Sequence, residues 1–321
     1  MNNINTFKYD YSVIILTYNS DFSKTKKTIN SILKQTNVSY EIIIADDGSR
    51  CTNFEEIENY FHEIHFTNYK LLTASKNRGT VINLYNAVQQ AEGQYVKDIS
   101  PGDFLFDSNV LNKILKLSKN ENAPVCFGRA LHYLKNENSY ETIDRKNPYF
   151  IKPYIQKSSK QIRHNYLVSR DPLLGAALIF DTMKLLNYLQ LIIGKAIYCE
   201  DSVLNLFAAK GEKISFYDDY FIFYETNVGI SSVSNMSKWG KLIYEDNKKV
   251  FSYLLSEHDI SYLEYLKSFS SYRKIRIILS IILDGRNTFF KRFQKTSDTV
   301  LSMSHEYLNL INEMTKDIQN V

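Results

Sequence analysis

Gly93-Gln-Tyr-Val-Lys-Asp-Ile-Ser-Pro-Gly-Asp103 is the stretch whose reading decides the fold. Tyr95 to Ile99 suits a short strand, Glu92-Gly93 ends a helix-like segment just ahead of it, and Pro101-Gly102 breaks it so that Asp103 falls just past the strand end. In an open α/β sheet the crevice beyond the carboxyl ends of the strands is where ligands bind. A carboxylate placed there can hold a metal and, through it, a phosphate.

The chain upstream of this strand supports an open sheet. Tyr11 to Leu16 and Glu41 to Ala45 are short β-branched runs of the kind that become strands buried on both faces. Between them, Phe22, Ile29, Ile32 and Leu33 recur among lysines as in an amphipathic helix, capped near Ser20 or Asp21. A helix from Asn53 to His62, a strand from Tyr69 to Thr73 and a helix from Thr80 to Gln90 complete a β-α-β-α-β-α-β alternation with short links. That alternation predicts a parallel, doubly wound sheet over about the first 110 residues.

Downstream, Asn109 to Ser118 has helical period, and Pro124 to Gly128 with Ala130 to Leu134 reads as strand. Asn136 to Ser159 is polar and tyrosine-rich without period, so a long surface excursion is expected there. Leu173 to Phe180 resumes the core, Thr182 to Leu191 is helical, Glu200-Asp201 opens a helix ending near Lys210-Gly211, and Lys213 to Tyr217 and Tyr220 to Tyr224 read as strands. From about Ser237 onward mostly helices are expected.

Composition excludes several classes. A net charge of +4 spread over 321 residues does not mark a nucleic-acid binder. Cys51, Cys126 and Cys199 are odd in number and far apart, which argues for a reducing, cytoplasmic compartment and against a disulfide framework or zinc site. The N-terminal residues lack an apolar signal core, and the apolar run from Ile275 to Leu283 is far shorter than the roughly 20 residues of a membrane span.

Three acidic turns follow apolar runs: Asp46-Asp47, Asp103 and Glu200-Asp201. Singly, each has an ordinary explanation, because Asp before Gly-Ser forms turns and acids at a helix start favour its dipole. Asp98 lies early, within the strand, and is expected to point elsewhere. As an ordered set with Ser12-Val-Ile-Ile-Leu-Thr-Tyr-Asn19, Asn77-Arg-Gly79 and Glu92-Gly-Gln-Tyr-Val96, these turns resemble the landmarks of the family 2 glycosyltransferases, inverting enzymes of the GT-A fold. Tyr224 to Ser232 is similar to the lid region of bacterial members that build capsule and cell-surface polysaccharide.

The resemblance covers residues of about 10 to 235 and implies a GT-A, Rossmann-like α/β domain over 1–235, with a nucleotide-binding half (about 10–110) and an acceptor half (about 111–235); the helical C-terminal region expected over 236–321 lies outside it. It implies a nucleotide-sugar donor, expected to be a UDP-sugar, and a glycan or lipid-linked saccharide acceptor, placing the enzyme at the inner face of the plasma membrane. Thr17, Tyr18 and Asn19 would frame base and ribose, and Asp47, with Asp46 beside it, would accept from a uracil N–H. Asn77, Arg78 and Gly79 would face the donor phosphates. Asp201 would be the catalytic base, with Glu200 orienting it or the acceptor.

At the usual metal-binding Asp-x-Asp this chain has Ser100, Pro101 and Gly102, followed by Asp103. Asp103 is the residue left to hold Mn²⁺ or Mg²⁺, the alternative being a diphosphate held with little metal help. A catalytically silent sugar-nucleotide module and a nucleotidyltransferase are the rival functions. The second is disfavoured because Thr17-Tyr18-Asn19-Ser20 lacks a glycine-rich phosphate loop. Tyr272 to Phe293 mixes bulky apolar and basic residues, which fits a core helix or one lying on a membrane surface.

Overall fold

A computed structural model describes residues 7–136, 139–228, 237–285 and 298–318. Among these, strands β1 (Tyr9–Thr17), β2 (Tyr40–Asp46), β3 (Tyr69–Thr73) and β4 (Gly93–Ile99) alternate with helices α1 (Phe22–Leu33), α2 (Phe54–Glu63) and α3 (Thr80–Gln89). They lie side by side in the order β3-β2-β1-β4, all parallel. Thr17 registers with Asp46, and Ile15 with Ile99. The acidic turns after β2 and β4 therefore emerge at one edge of the sheet, on either side of the β1 end.

The strands are apolar on both faces because both faces are covered. Ile14, Ile43 and Val96 pack with α3 residues Val81, Leu84 and Val88, whereas Val13, Ile15, Ile42 and Ile44 pack with Ile29 and Ile32 of α1 and Ile57 and Phe61 of α2. Each such side chain, fully buried, contributes about 1.5–3 kcal/mol. Two polar residues interrupt β4: Lys97, fully buried, and Asp98, on the same face as Val96.

Beyond β4 the sheet is mixed, with antiparallel and parallel pairs. A short strand β5 (Phe104–Leu105) precedes α4 (Val110–Glu121) and β6 (Val125–Lys135). The stretch expected to be a long excursion instead contains β7 (Tyr140–Ile143) and the short helix α5 (Lys152–Ile155); β7 forms a hairpin with the end of β6, and its four partly polar residues are too few to show a period. Then come α6 (Ser159–Arg163), β8 (Leu178–Asp181), α7 (Thr182–Ile192), a 3₁₀ turn over Glu200–Val203, α8 (Leu204–Ala209) and β9 (Ile214–Glu225). The two strands read at Lys213–Tyr217 and Tyr220–Tyr224 are one strand, β9, whose pairing with β6 shifts register around Arg129.

The C-terminal region holds α9 (Lys238–Ser256), α10 (Tyr262–Phe269) and α11 (Arg273–Asp284), then strand β10 (Val300–Ser302) and helix α12 (His305–Thr315). The strand departs from the helical expectation: β10 pairs antiparallel with β7 at the sheet edge. Among the described residues no helix is long and apolar enough to cross a membrane. Residues 286–293 of the basic-apolar tail and 229–232 of the lid-like segment lie outside the described residues.

Candidate active site

The three strand-end turns lock into one frame. Asp46 accepts from Thr17 Oγ1 at 3.1 Å, from Ser49 N at 2.8 Å and from Ser49 Oγ at 2.5 Å. Ser49 Oγ in turn accepts from Asn19 N at 2.6 Å, while Asn19, in the left-handed region at φ 49°, accepts from Arg50 N at 3.1 Å. Tyr18 stands out of this frame, 52% exposed, a ring free to meet a flat ligand.

Asp47 has a different task. It is buried, and its two oxygens accept from Arg78 N at 2.9 Å and Gly79 N at 2.7 Å. Burial pushes its carboxyl up from the ordinary range, and these two amides pull the other way. The N-terminus of α3 thus already holds an anion, namely Asp47, and the amide two residues past Gly79, Val81 N, donates to Ile197 O at 3.1 Å. The amides expected to face donor phosphates are engaged, and a nucleobase N–H would reach Asp47 as a third donor. Gly79 fits at φ 92° because a Cβ there would lie 2.3 Å from Ile197 O. Asn77 is half-buried beside it, and the Arg78 side chain is exposed.

At the end of β4, Ser100 is exposed. Gly102, at φ 104°, donates to Thr28 Oγ1 at 3.1 Å and accepts from the Tyr133 hydroxyl. A Cβ on Gly102 would sit 2.2 Å from Glu225 Oε2, and that carboxylate is paired with Lys24 Nζ at 2.7 Å. Asp103 is buried; its Oδ1 accepts from Glu225 N at 3.0 Å, and burial raises its pKa to about 7.

Mn²⁺ or Mg²⁺ bound through Asp103 does not fit these residues. The carboxylate is walled in beneath the Glu225 backbone, its one neighbouring acid is neutralised by an ammonium, and no three His, Cys, Asp or Glu side chains among the described residues converge on a cation position.

The remaining acids gather across the cleft. Glu200 is driven up to about 8, first by burial, then by the charges of Asp201 and, further off, Asp98, with the Thr80 hydroxyl working against the shift. Asp201 is also raised by burial, but Cys199 Sγ, which donates to its Oδ1 at 3.1 Å, and the Arg170 guanidinium draw it down. Gly175 leaves room for Asp201: a Cβ there would meet its Oδ2 at 3.2 Å. Asp98 joins this group rather than pointing elsewhere, with one oxygen buried and unpartnered and its pKa raised first by burial. The signal was present in the sequence, since a Lys-Asp pair inside an otherwise apolar strand is an anomaly that calls for a reason. Lys97 faces the opposite way, donating to Ala176 O at 2.8 Å.

Supports from outside the motifs complete the site. Asp246 Oδ2, on α9, accepts from Ile197 N at 2.9 Å and Tyr198 N at 2.7 Å, and Asn247 Nδ2 donates to Cys199 Sγ at 3.3 Å. The segment carrying Glu200 and Asp201 is thereby pinned by the C-terminal region.

The family model "Glycosyl transferase family 2" matches residues 12–171. Over 154 residues the chain is 29% identical to the "Uncharacterized glycosyltransferase MG025 homolog" of Mycoplasma pneumoniae, which is 47% of this chain and 46% of that relative, so the match spans less than half of the relative's length. Two crystal structures of S. aureus TarS 1-349 share the fold. The complex with UDP-GlcNAc superposes at TM-score 0.54 with 20% identity over 88% of this chain and 73% of the other. The complex with UDP does so at 0.51 with 16% identity over 92% and 97%. The chain therefore has the GT-A fold, and its residues 12–171 match the model of glycosyltransferase family 2.

Proposed function

We propose that the chain transfers a sugar, with inversion, from a UDP-sugar to a hydroxyl of a glycan or lipid-linked saccharide. The observation that carries this reading is the placement of two adjacent acids on one 3₁₀ turn, in a segment that Ile197 ties to the start of α3: burial raises both carboxyls, the charge of Asp201 raises Glu200 further, and Cys199 Sγ, 3.1 Å from Asp201 Oδ1, and the Arg170 guanidinium act on Asp201 in the opposite direction. Adjacent carboxyls whose surroundings push them apart are how a site separates proton-holding from proton-accepting roles. The TarS complex with UDP-GlcNAc supports a UDP-sugar as donor.

In this reading the nucleoside lies over the frame of Thr17, Asn19 and Asp46, with Tyr18 against the base, and Ser100 at the strand end beneath the ribose. Arg78, exposed at the start of α3, supplies positive charge for the diphosphate. Asp201 takes the proton of the acceptor hydroxyl while that oxygen bonds to the anomeric carbon. The bond from that carbon to the diphosphate oxygen breaks, and the nucleoside diphosphate leaves with the electron pair. Glu200, protonated, donates to the acceptor or to Asp201.

Replacing Asp201 by Asn keeps the shape and removes the base. Turnover is expected to fall by roughly 10² to 10⁴-fold, with UDP-sugar affinity held within threefold. Transfer at the wild-type rate by Asp201→Asn, followed by UDP release, would remove Asp201 from the reaction.

A further inference from the structure

Between α9, α10 and α11 and the segment ending at Arg170 lies a cleft of about 1080 Å³ outside the turns described above. Its walls carry Arg170, Lys241, Arg273 and Arg276, none of which forms an ion pair with a carboxylate among the described residues, against one similarly unpaired acid, Glu245. The other charges on its floor cancel, Lys267 and Asp284 pairing at 2.7 Å while both are nearly fully buried. Like charges gathered round a cavity repel, and Arg273 and Arg276 carry a further penalty because they lie in the first turn of α11, which contains no acid and suits anions rather than cations. Ser268, also on the wall, has a buried hydroxyl with no partner.

The cleft communicates with the catalytic acids. Arg170, held in the left-handed region at φ 56°, stacks over the Phe251 ring at 4.4 Å and donates to Asn247 Oδ1 at 3.4 Å. Asn247 reaches Cys199, and Cys199 reaches Asp201. Arg170 is also one of the charges that act on Asp201. Two residues of the cleft wall, Arg170 and Asn247, thus connect it to Asp201, the second through Cys199.

We infer that this cleft binds a phosphate-bearing part of the acceptor and presents the adjoining hydroxyl to Asp201. The inference rests on the transferase reading above and names its acceptor class. Three arginines favour phosphate, since the guanidinium fork matches its oxygens two at a time. Several separated cations in a cavity of this length suit more than one phosphate.

The test uses the full chain and a synthetic tetramer of glycerol phosphate. Wild-type protein is expected to bind the tetramer, and the double variant Arg273→Gln/Arg276→Gln to bind it at least tenfold more weakly with an unchanged melting temperature. Lys241→Gln serves as a second variant on a different helix, expected to weaken binding at least threefold. Equal affinity in wild type and both variants would overturn the assignment. So would a pattern in which the tetramer is not bound but vesicles containing phosphatidylglycerol are, with loss on the double variant, because that would make the arginines part of a membrane-contact surface. UDP-GlcNAc and UDP binding, measured on the same wild-type sample, separates the two levels: their absence counts against the transferase reading, and tetramer binding unaffected by the variants counts against the cleft alone.

Discussion

Asp103 lies past the β4 end, beneath Glu225, whose backbone N donates to its Oδ1 at 3.0 Å. Its place past the β4 end is where the chain order put it, yet its chemistry depends on what covers it, and the covering residue, Glu225, comes from a strand more than a hundred positions away. No local pattern encodes such a lid. Asp46 and Asp47 were legible as a strand-end turn, because Asp-Asp-Gly-Ser after a buried apolar run forms one. Their division of labour, one tying Ser49 and Thr17 and the other holding the start of α3, was not, since it rests on which backbone amides come within reach.

The burial of Asp103 carries a pH signature. Its carboxyl titrates at about 7 in the fold against 3.8 ordinarily. Between those values the folded state keeps a proton that the unfolded chain has lost. The favourable contribution is therefore fully present below about pH 4 and is lost as the pH rises through 7. Asp103→Asn retains an oxygen for Glu225 N and removes the titration. Chemical denaturation at pH 5 and pH 8 is expected to show a smaller loss of stability between the two for the variant than for the wild type. Equal losses would mean that Asp103 ionises at its ordinary pH.

Elements were legible where burial and local period coincide. The parallel strands were readable because both faces are covered, which makes them continuous apolar runs. Strands β7 and β10 were not, being short and partly polar, with Val300 and Leu301 of β10 half-exposed. The role of α9 was equally hidden. Its amphipathic pattern announces a helix, but nothing in it announces that Asp246 will hold the backbone ahead of Glu200. Because both amides converge on one oxygen, Asp246→Ala leaves two donors unpaired and the segment carrying Glu200 and Asp201 free to shift. A displacement of about 1 Å can cost on the order of 10² in rate. Asp246→Ala is expected to lower kcat by about 10 to 100-fold with UDP affinity unchanged, and Asp246→Asn, which preserves the acceptor, to recover most of it. If both variants were equally impaired, charge rather than positioning would be the contribution of Asp246.

At the scale of the whole molecule, the chain closes on itself. Its last described helix, α12, lies against α1: Asn30 Nδ2 donates to Thr315 O at 3.1 Å, Lys34 Nζ donates to Lys316 O at 2.5 Å, and Lys26 pairs with Asp317 at 2.7 Å. A lysine on the closing carbonyls of a helix complements its dipole. Beneath these polar ties Ile311 and Met314 are buried, and Ile311 shares a cluster with Phe104, Phe106 and Phe223, the residues that flank Asp103 and precede Glu225. A C-terminal segment built this way is part of the α/β domain rather than an appendage to it. Ile311→Ala should then destabilise by about 2–5 kcal/mol through the lost burial and the cavity left behind. The loss should reach the donor site, since the same cluster supports the turn carrying Gly102. Calorimetry is expected to show a single unfolding transition moved to lower temperature, with UDP-GlcNAc raising the midpoint of wild type and variant alike. An early separate transition in Ile311→Ala that UDP-GlcNAc leaves unmoved would instead show that α12 docks and melts independently of the sheet it covers.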